Sequence, residues 1–138
     1  MILFCDTSAL VKLYVREDGT DAVTEQVAAC EVVAVSRIAW VEMMSALARR
    51  AREQTQDMAL LAQVRQQVSL DWPRYLKVEL TQPLLELAGD YAEAFALRAY
   101  DSVQLASAQT LHREMPGQVK FACFDSRLVK AAQVLGMG

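Results

Sequence analysis

The chain alternates short runs of consecutive apolar residues with longer segments whose apolar positions recur at helical spacing. Ile2–Cys5 is a run of the first kind and predicts a strand buried on both faces. Thr7 or Ser8 then starts a helix through Val15, and polar Arg16–Thr20, with its glycine, makes a turn. Asp21–Ala29 is helical, and β-branched Glu31–Val35 is a second buried strand. Ser36 caps a strongly periodic helix over Arg37–Glu53. Gln54–Thr55 interrupts the apolar pattern before another helix, Gln56–Leu70, which Trp72–Pro73 closes. Lys77–Thr81 predicts a third strand, and Pro83–Ala96 a helix with proline in its first turn. Ala99–Glu114 is helical up to Pro116–Gly117, Lys120–Phe124 is a fourth strand, and Ser126–Leu135 a last helix stopped by Gly136.

Strands that alternate with helices imply right-handed crossovers. The expected fold is therefore α/β, a three-layer α/β/α sandwich around a small central parallel sheet. A length of 138 residues, without repeats or a linker, suits a single domain over 1–138. The net charge of −3 excludes a uniformly basic nucleic-acid binder, so any contact with a polyanion must come from a local patch. The three cysteines, Cys5, Cys30 and Cys123, form no CxxC pair and sit in or beside apolar runs, as small hydrophobes in a reducing compartment do. The N-terminus opens directly on a strand, and no apolar run is long enough to span a bilayer, so a cytoplasmic protein without membrane contact is expected.

The candidate chemistry lies in four carboxylates. Asp6 follows the first strand and Asp125 the fourth, which puts both on the edge where open parallel sheets bind ligands. Each also has a plainer reading as a helix N-cap, in Asp-Thr-Ser and Asp-Ser. Glu42 sits in "RIAWVEMMSAL", flanked by apolar residues, where a carboxylate needs a partner or a metal. Its plainer reading is a boundary position that reaches water or pairs with Arg49. Asp101, in "LRAYDSVQLASAQ", suits the positive end of its helix, yet its neighbours are apolar. Four acids at one place repel each other unless protonated or joined by a cation. All-oxygen ligands select Mg²⁺ or Mn²⁺ over Zn²⁺. The chemistry that follows is phosphodiester hydrolysis.

The segments "ILFCDTSALVKLY", "VSRIAWVEMMSALAR", "LRAYDSVQLASA" and "FACFDSRLVKAA" together resemble a PIN-domain nuclease, most closely the VapC toxins of type II bacterial toxin–antitoxin pairs. The resemblance spans essentially the whole chain, in family order. It implies Asp6, Glu42, Asp101 and Asp125 as the metal-holding catalytic acids. It implies Ser8 as a support for Asp6 or for a metal-bound water. It also implies Mg²⁺- or Mn²⁺-dependent RNA cleavage by a metal-activated water, a cognate antitoxin, a homodimer, and a helical pair, Arg37–Glu53 with Gln56–Leu70, that projects like a clip.

Other residues offer rival readings. His112, the single histidine, falls about three turns beyond Asp101 and suits a helix C-terminus. Arg49, Arg50 and Arg52 could touch RNA phosphate or form a solvated face, and Lys12, Arg16, Arg98 and Arg127 lie near the motifs. Met43 and Met44 read as core or dimer surface, and Trp40, Trp72 and the tyrosines as packing residues. Two alternative functions stand beside a ribonuclease. One is an acid-metal phosphatase, which needs a second Asp where Ser8 stands. The other is a catalytically silent PIN-like scaffold that binds a partner, whose mark would be lost carboxylates.

Overall fold

Strand β1 (Ile2–Cys5) is buried along its whole length. Only a central strand covered on both faces can be so. In the computed structural model, which describes residues 1–138, β1 lies between β2 (Val32–Ser36) and β4 (Val119–Ala122), with β3 (Leu76–Val78) outside β2. All pairings are parallel, and the order β3-β2-β1-β4 reverses direction at β1. The register sets Ile2 beside both Val32 and Val119, and Phe4 beside Ala34 and Phe121.

The pleat sends alternate residues to opposite faces and so divides the core. Ile2, Phe4, Ala34 and Phe121 face α5 (Gln82–Ala94), α6 (Ala99–Glu114) and α7 (Ser126–Val134), with the Phe4 and Phe121 rings stacked 5.4 Å apart. Leu3, Cys5 and Val35 face α1 (Thr7–Tyr14), α2 (Thr20–Ala29) and α3 (Ala39–Glu53). The expected three-layer α/β/α sandwich is therefore the fold.

A 3-10 turn (Thr55–Asp57) joins α3 to α4 (Met58–Asp71), and Met44, Leu47, Leu61 and Val68 seal the resulting hairpin. At its base Tyr14 donates to Asp71 at 2.8 Å, and Trp72 meets Trp40 and Tyr75 edge-on. No helix is long and apolar enough to cross a membrane.

Two strands differ from the sequence pattern for a local reason. β3 ends at Val78, not Thr81, because the Thr81 hydroxyl accepts from the Leu84 N–H at 3.3 Å and caps α5. β4 ends at Ala122, not Phe124, because the chain turns there to bring Asp125 into the N-cap of α7. The start of α3 also shifts, to Ala39. Ser36 remains the last residue of β2, and its hydroxyl accepts from the Ile38 N–H at 3.3 Å.

The turn between α1 and α2 locks onto the β4–α7 connection. Gly19 has φ +95°. Lys12, on α1, donates to Glu17 at 2.9 Å and lies over the Phe124 ring, 4.7 Å from its centre. Arg50, on α3, also holds Glu17. A Cβ on Gly19 would stand 2.7 Å from Phe124 Cε1 and 2.9 Å from Lys12 Cε. Gly19→Ala is expected to lower the unfolding free energy by about 1–3 kcal/mol through backbone strain and overpacking. The urea midpoint reads this directly, and an unchanged midpoint would mean that Phe124 and Lys12 yield freely.

Candidate functional site

The reversal of strand order at β1 opens a crevice at the carboxyl edge of β1 and β4. Asp6 stands at that edge, only 5% exposed. Its Oδ1 accepts from the Ala9 N–H at 2.9 Å and from the Ser8 hydroxyl at 2.8 Å, so it is the N-cap of α1. Asp125 mirrors it on the neighbouring connection, where Oδ1 accepts from the Arg127 and Leu128 N–H groups, both at 3.0 Å. Capping and a role in an acidic site are therefore compatible, because the cap occupies one carboxylate oxygen and leaves the other free.

Glu42 enters from the first turn of α3. It does not pair with Arg49. Its Oε1 accepts from the Thr7 hydroxyl and from Gln104 Nε2, each at 2.8 Å. Gln104 Nε2 also donates to Thr7 Oγ1 at 3.1 Å, so one amide ties α6 to α1 and α3. Asp101, in the first turn of α6, accepts from Arg98 at 3.3 Å through Oδ2. A common pattern results. Each of the four acids engages the protein through one oxygen, while Asp6 Oδ2, Glu42 Oε2, Asp101 Oδ1 and Asp125 Oδ2 accept no hydrogen bond from it and are not sealed from solvent.

The electrostatics bring the same residues together. Burial pushes Asp6 up to about 6, against the pull of the Ala9 amide and the Ser8 hydroxyl, and the charges of Asp101 and Glu42 push it further. Burial also holds the Cys123 thiol well above the ordinary range, helped by Asp6, Asp125 and Asp101. Without a metal that thiol stays protonated.

Two clefts flank the acids. One, of about 340 Å³, lies between Asp101 and Asp125 and is walled by Arg98, Arg127 and Ala96. Ala96 takes a left-handed φ of +54°, and its carbonyl accepts from the Arg127 guanidinium at 3.0 Å. The other, of about 400 Å³, runs between α3 and α6 past Thr7, Glu42, Arg49 and Tyr100.

No three His, Cys, Asp or Glu side chains converge into a ready-made cage for an ion. The donors nevertheless suit a hard divalent cation of the Mg²⁺ type. Such an ion retains several waters and takes one or two carboxylates rather than a full protein cage. His112 lies elsewhere, with its Nδ1 buried and its Nε2 3.7 Å from where a Cβ on Gly136 would stand.

Two residues of the site escape the sequence reading. In the sequence Thr7 reads only as a helix start. Gln104, 2% exposed, lies among apolar Val103, Leu105 and Ala106, one turn from Asp101. A polar residue in apolar company, the signal that marks Glu42, also marks Gln104. Its Nε2 must face Glu42, since the opposite amide orientation would oppose two oxygens, and that leaves Gln104 Oε1 buried without a partner. Tyr100 departs from the expectation for the tyrosines, for it is 61% exposed on the wall of the second cleft.

The profile of the PIN domain family matches residues 3–133. Ribonuclease VapC49 of Mycobacterium tuberculosis is 35% identical over 135 residues, which cover 98% of this chain and 92% of that protein. Ribonuclease VapC46 of the same organism is 33% identical over 98% of this chain and 93% of its own length. Among solved structures, a toxin–antitoxin complex from Klebsiella pneumoniae aligns with a TM-score of 0.66 at 20% identity, covering 91% of this chain and 88% of that one. Mycobacterium tuberculosis VapC20, a sarcin-ricin loop cleaving toxin, aligns with a TM-score of 0.62 at 18% identity, over 94% of each chain. At such identities these structures show a shared fold.

Two outcomes test the site. Because Asp6 has a higher pKa folded than its ordinary 3.8, the folded chain holds this proton more tightly. The resulting stability is full below about pH 4 and is lost as pH rises through about 6, a swing of up to about 3 kcal/mol. Asn keeps the capping oxygen, so metal-free Asp6→Asn should melt above the parent at pH 7.5, with the gap closing towards pH 5 in EDTA. A lower melting temperature at every pH would assign Asp6 Oδ2 a structural contact. Gln104→Leu removes the donor to a part-buried carboxylate and should cost about 1–3 kcal/mol in urea unfolding. A neutral effect would make the brace dispensable.

Proposed function

The chain belongs to the PIN-domain family, and from that premise we propose that it is a metal-dependent endoribonuclease toxin that hydrolyses RNA phosphodiester bonds and is neutralised by a cognate antitoxin. The observation that carries this reading is the shared habit of the four acids, each anchored through one oxygen and open through the other. Capping alone does not require four such groups on one edge, and like charges so placed favour a cation between them. Full-length relatives named as ribonucleases support the activity, and a fold shared with a toxin–antitoxin complex supports an antitoxin partner.

In this proposal Asp6, Glu42, Asp101 and Asp125 form the acidic site for Mg²⁺ or Mn²⁺, one or two of them binding the ion directly and the others through its waters. When bound, such a cation activates water for attack on phosphorus and stabilises the charge that develops on the phosphoryl oxygens. Ser8 fixes the rotamer of Asp6 through its 2.8 Å hydrogen bond and so directs Oδ2 outward. Thr7 and Gln104 do the same for Glu42. Arg98 and Arg127 line the cleft beside Asp101 and Asp125 and offset the acids towards an approaching phosphate backbone. The water oxygen forms the new bond to phosphorus and the bridging P–O bond breaks, without a covalent protein intermediate. A homodimer in the cytoplasm completes the reading.

Purified chain, freed of co-purifying partner and incubated with bacterial RNA in Mn²⁺, should release discrete fragments that vanish in EDTA. Asp6→Asn, Glu42→Gln, Asp101→Asn and Asp125→Asn should each lower cleavage by about a hundredfold or more, with circular dichroism unchanged. A variant of full activity would remove its residue from the site. Absence of both cleavage and calorimetric Mn²⁺ binding would defeat the proposal.

A further inference from the structure

Resting on the ribonuclease reading, we infer that the cleft between α3 and α6 is a nucleotide subsite, in which Tyr100 stacks on an unpaired base of single-stranded RNA and Arg49 holds the adjoining phosphate. The cleft, about 400 Å³, is continuous with the acids, because Glu42 and Thr7 form part of its wall.

Tyr100 is unlike the other tyrosines. Tyr14 donates to Asp71, Tyr75 packs edge-on against Trp72, and Tyr91 is buried 5.5 Å from Phe95. Tyr100 has no aromatic neighbour and no hydrogen bond, and most of its ring faces the cleft or solvent. Val41, also 61% exposed, adds apolar surface to the same cleft. A ring held without a packing partner beside hydrolytic acids is what an unstacked base needs, and every base has a face that can use it.

Arg49 supplies the complementary charge. Arg16, Arg37, Arg50 and Arg98 are each engaged by a carboxylate, and Arg127 by a carbonyl. Arg49 has no such partner, nor have Arg52, Arg65, Arg74 and Arg113, and of these five only Arg49 lies on the wall of this cleft. Glu42 shares the cleft wall but forms no ion pair with Arg49, its Oε1 being held by Thr7 and Gln104. A backbone phosphate is the fitting counterion for an unengaged guanidinium beside an aromatic platform. Tyr100 immediately precedes Asp101, so the stacked nucleotide neighbours the one whose phosphate meets the acids. Stacking tolerates any base, so the subsite adds affinity and excludes duplex rather than selecting a sequence.

The test uses a fluorescein-labelled single-stranded oligoribonucleotide, with fluorescence anisotropy in Mg²⁺ and Asp6→Asn as the non-cleaving parent. Adding Tyr100→Ala should weaken binding about tenfold or more, whereas Tyr100→Phe, which keeps the ring, should bind like the parent. Arg49→Gln should weaken binding and make it less salt-dependent. Equal melting temperatures across the series exclude misfolding as the cause. If the parent holds RNA and Tyr100→Ala holds it as well, or if Tyr100→Phe fails like Tyr100→Ala, the subsite is overturned while the ribonuclease reading stands. The first of these outcomes would leave the ring to a protein partner. Should the parent hold no RNA, the KM of the otherwise unaltered Tyr100→Ala chain decides, a several-fold rise supporting the subsite and an unchanged KM overturning it. If the unaltered chain cuts no RNA in Mn²⁺, the ribonuclease reading fails and the subsite with it.

Discussion

A carboxylate fixed at the end of a fully buried strand organises the rest of this protein. β1 is covered on both faces, so the residue that follows it has little freedom to reach bulk water. Asp6 is nevertheless acidic, and burial of its charge is expensive unless the surroundings answer it. The Ala9 amide and the Ser8 hydroxyl answer one oxygen. The charges of Asp101 and Glu42 work against its ionisation. The edge is stable enough to fold but electrostatically incomplete, a condition that a bound cation would relieve.

That edge is held by braces that cross the sandwich. Gln104 links α6 to the start of α1 and to α3, and so makes the position of Glu42 depend on all three helices. On the other side, Lys12 and Arg50 clasp Glu17, and Lys12 reaches across to Phe124, next to Asp125. Burial raises the cost of ionising Glu17, but the hydrogen bonds from Lys12 and Arg50 outweigh it and hold this carboxyl below its usual range. The two braces tie α1 to every element that carries an acid.

The elements most legible in the sequence are those with one job. β1 is a pure apolar run, and α6 has a clear period closed by Pro116–Gly117, and both occur where the pattern puts them. The ends of β3 and β4 are harder to read because Thr81 and Phe124 continue the strand pattern, and only the capping of α5 by Thr81 and of α7 by Asp125 ends each strand earlier. The acids at Asp6 and Asp125 posed a false choice between cap and site, since a carboxylate has two oxygens and each of these divides them. Gln104 and Tyr100 were missed for opposite reasons. The burial of Gln104 arises only when three helices converge, and the exposure of Tyr100 only when no neighbour arrives to cover it. The apolar company of Gln104 is legible in the sequence, but the groups its amide meets and the open side of Tyr100 are not.

The pairing of β1 with β4 also bears on how the protein comes into being. Ile2 lies beside Val119 and Cys5 beside Ala122, and only that pairing puts Asp6 and Asp125 on the same edge. Contacts so distant along the chain are slow to close, and domains made on a ribosome take shape from the N-terminus first. The sheet can gather β1, β2 and β3 early, but the acid edge lacks its last wall until β4 has emerged and docked. The four acids therefore come together on one edge only late in folding, after β4 has paired with β1.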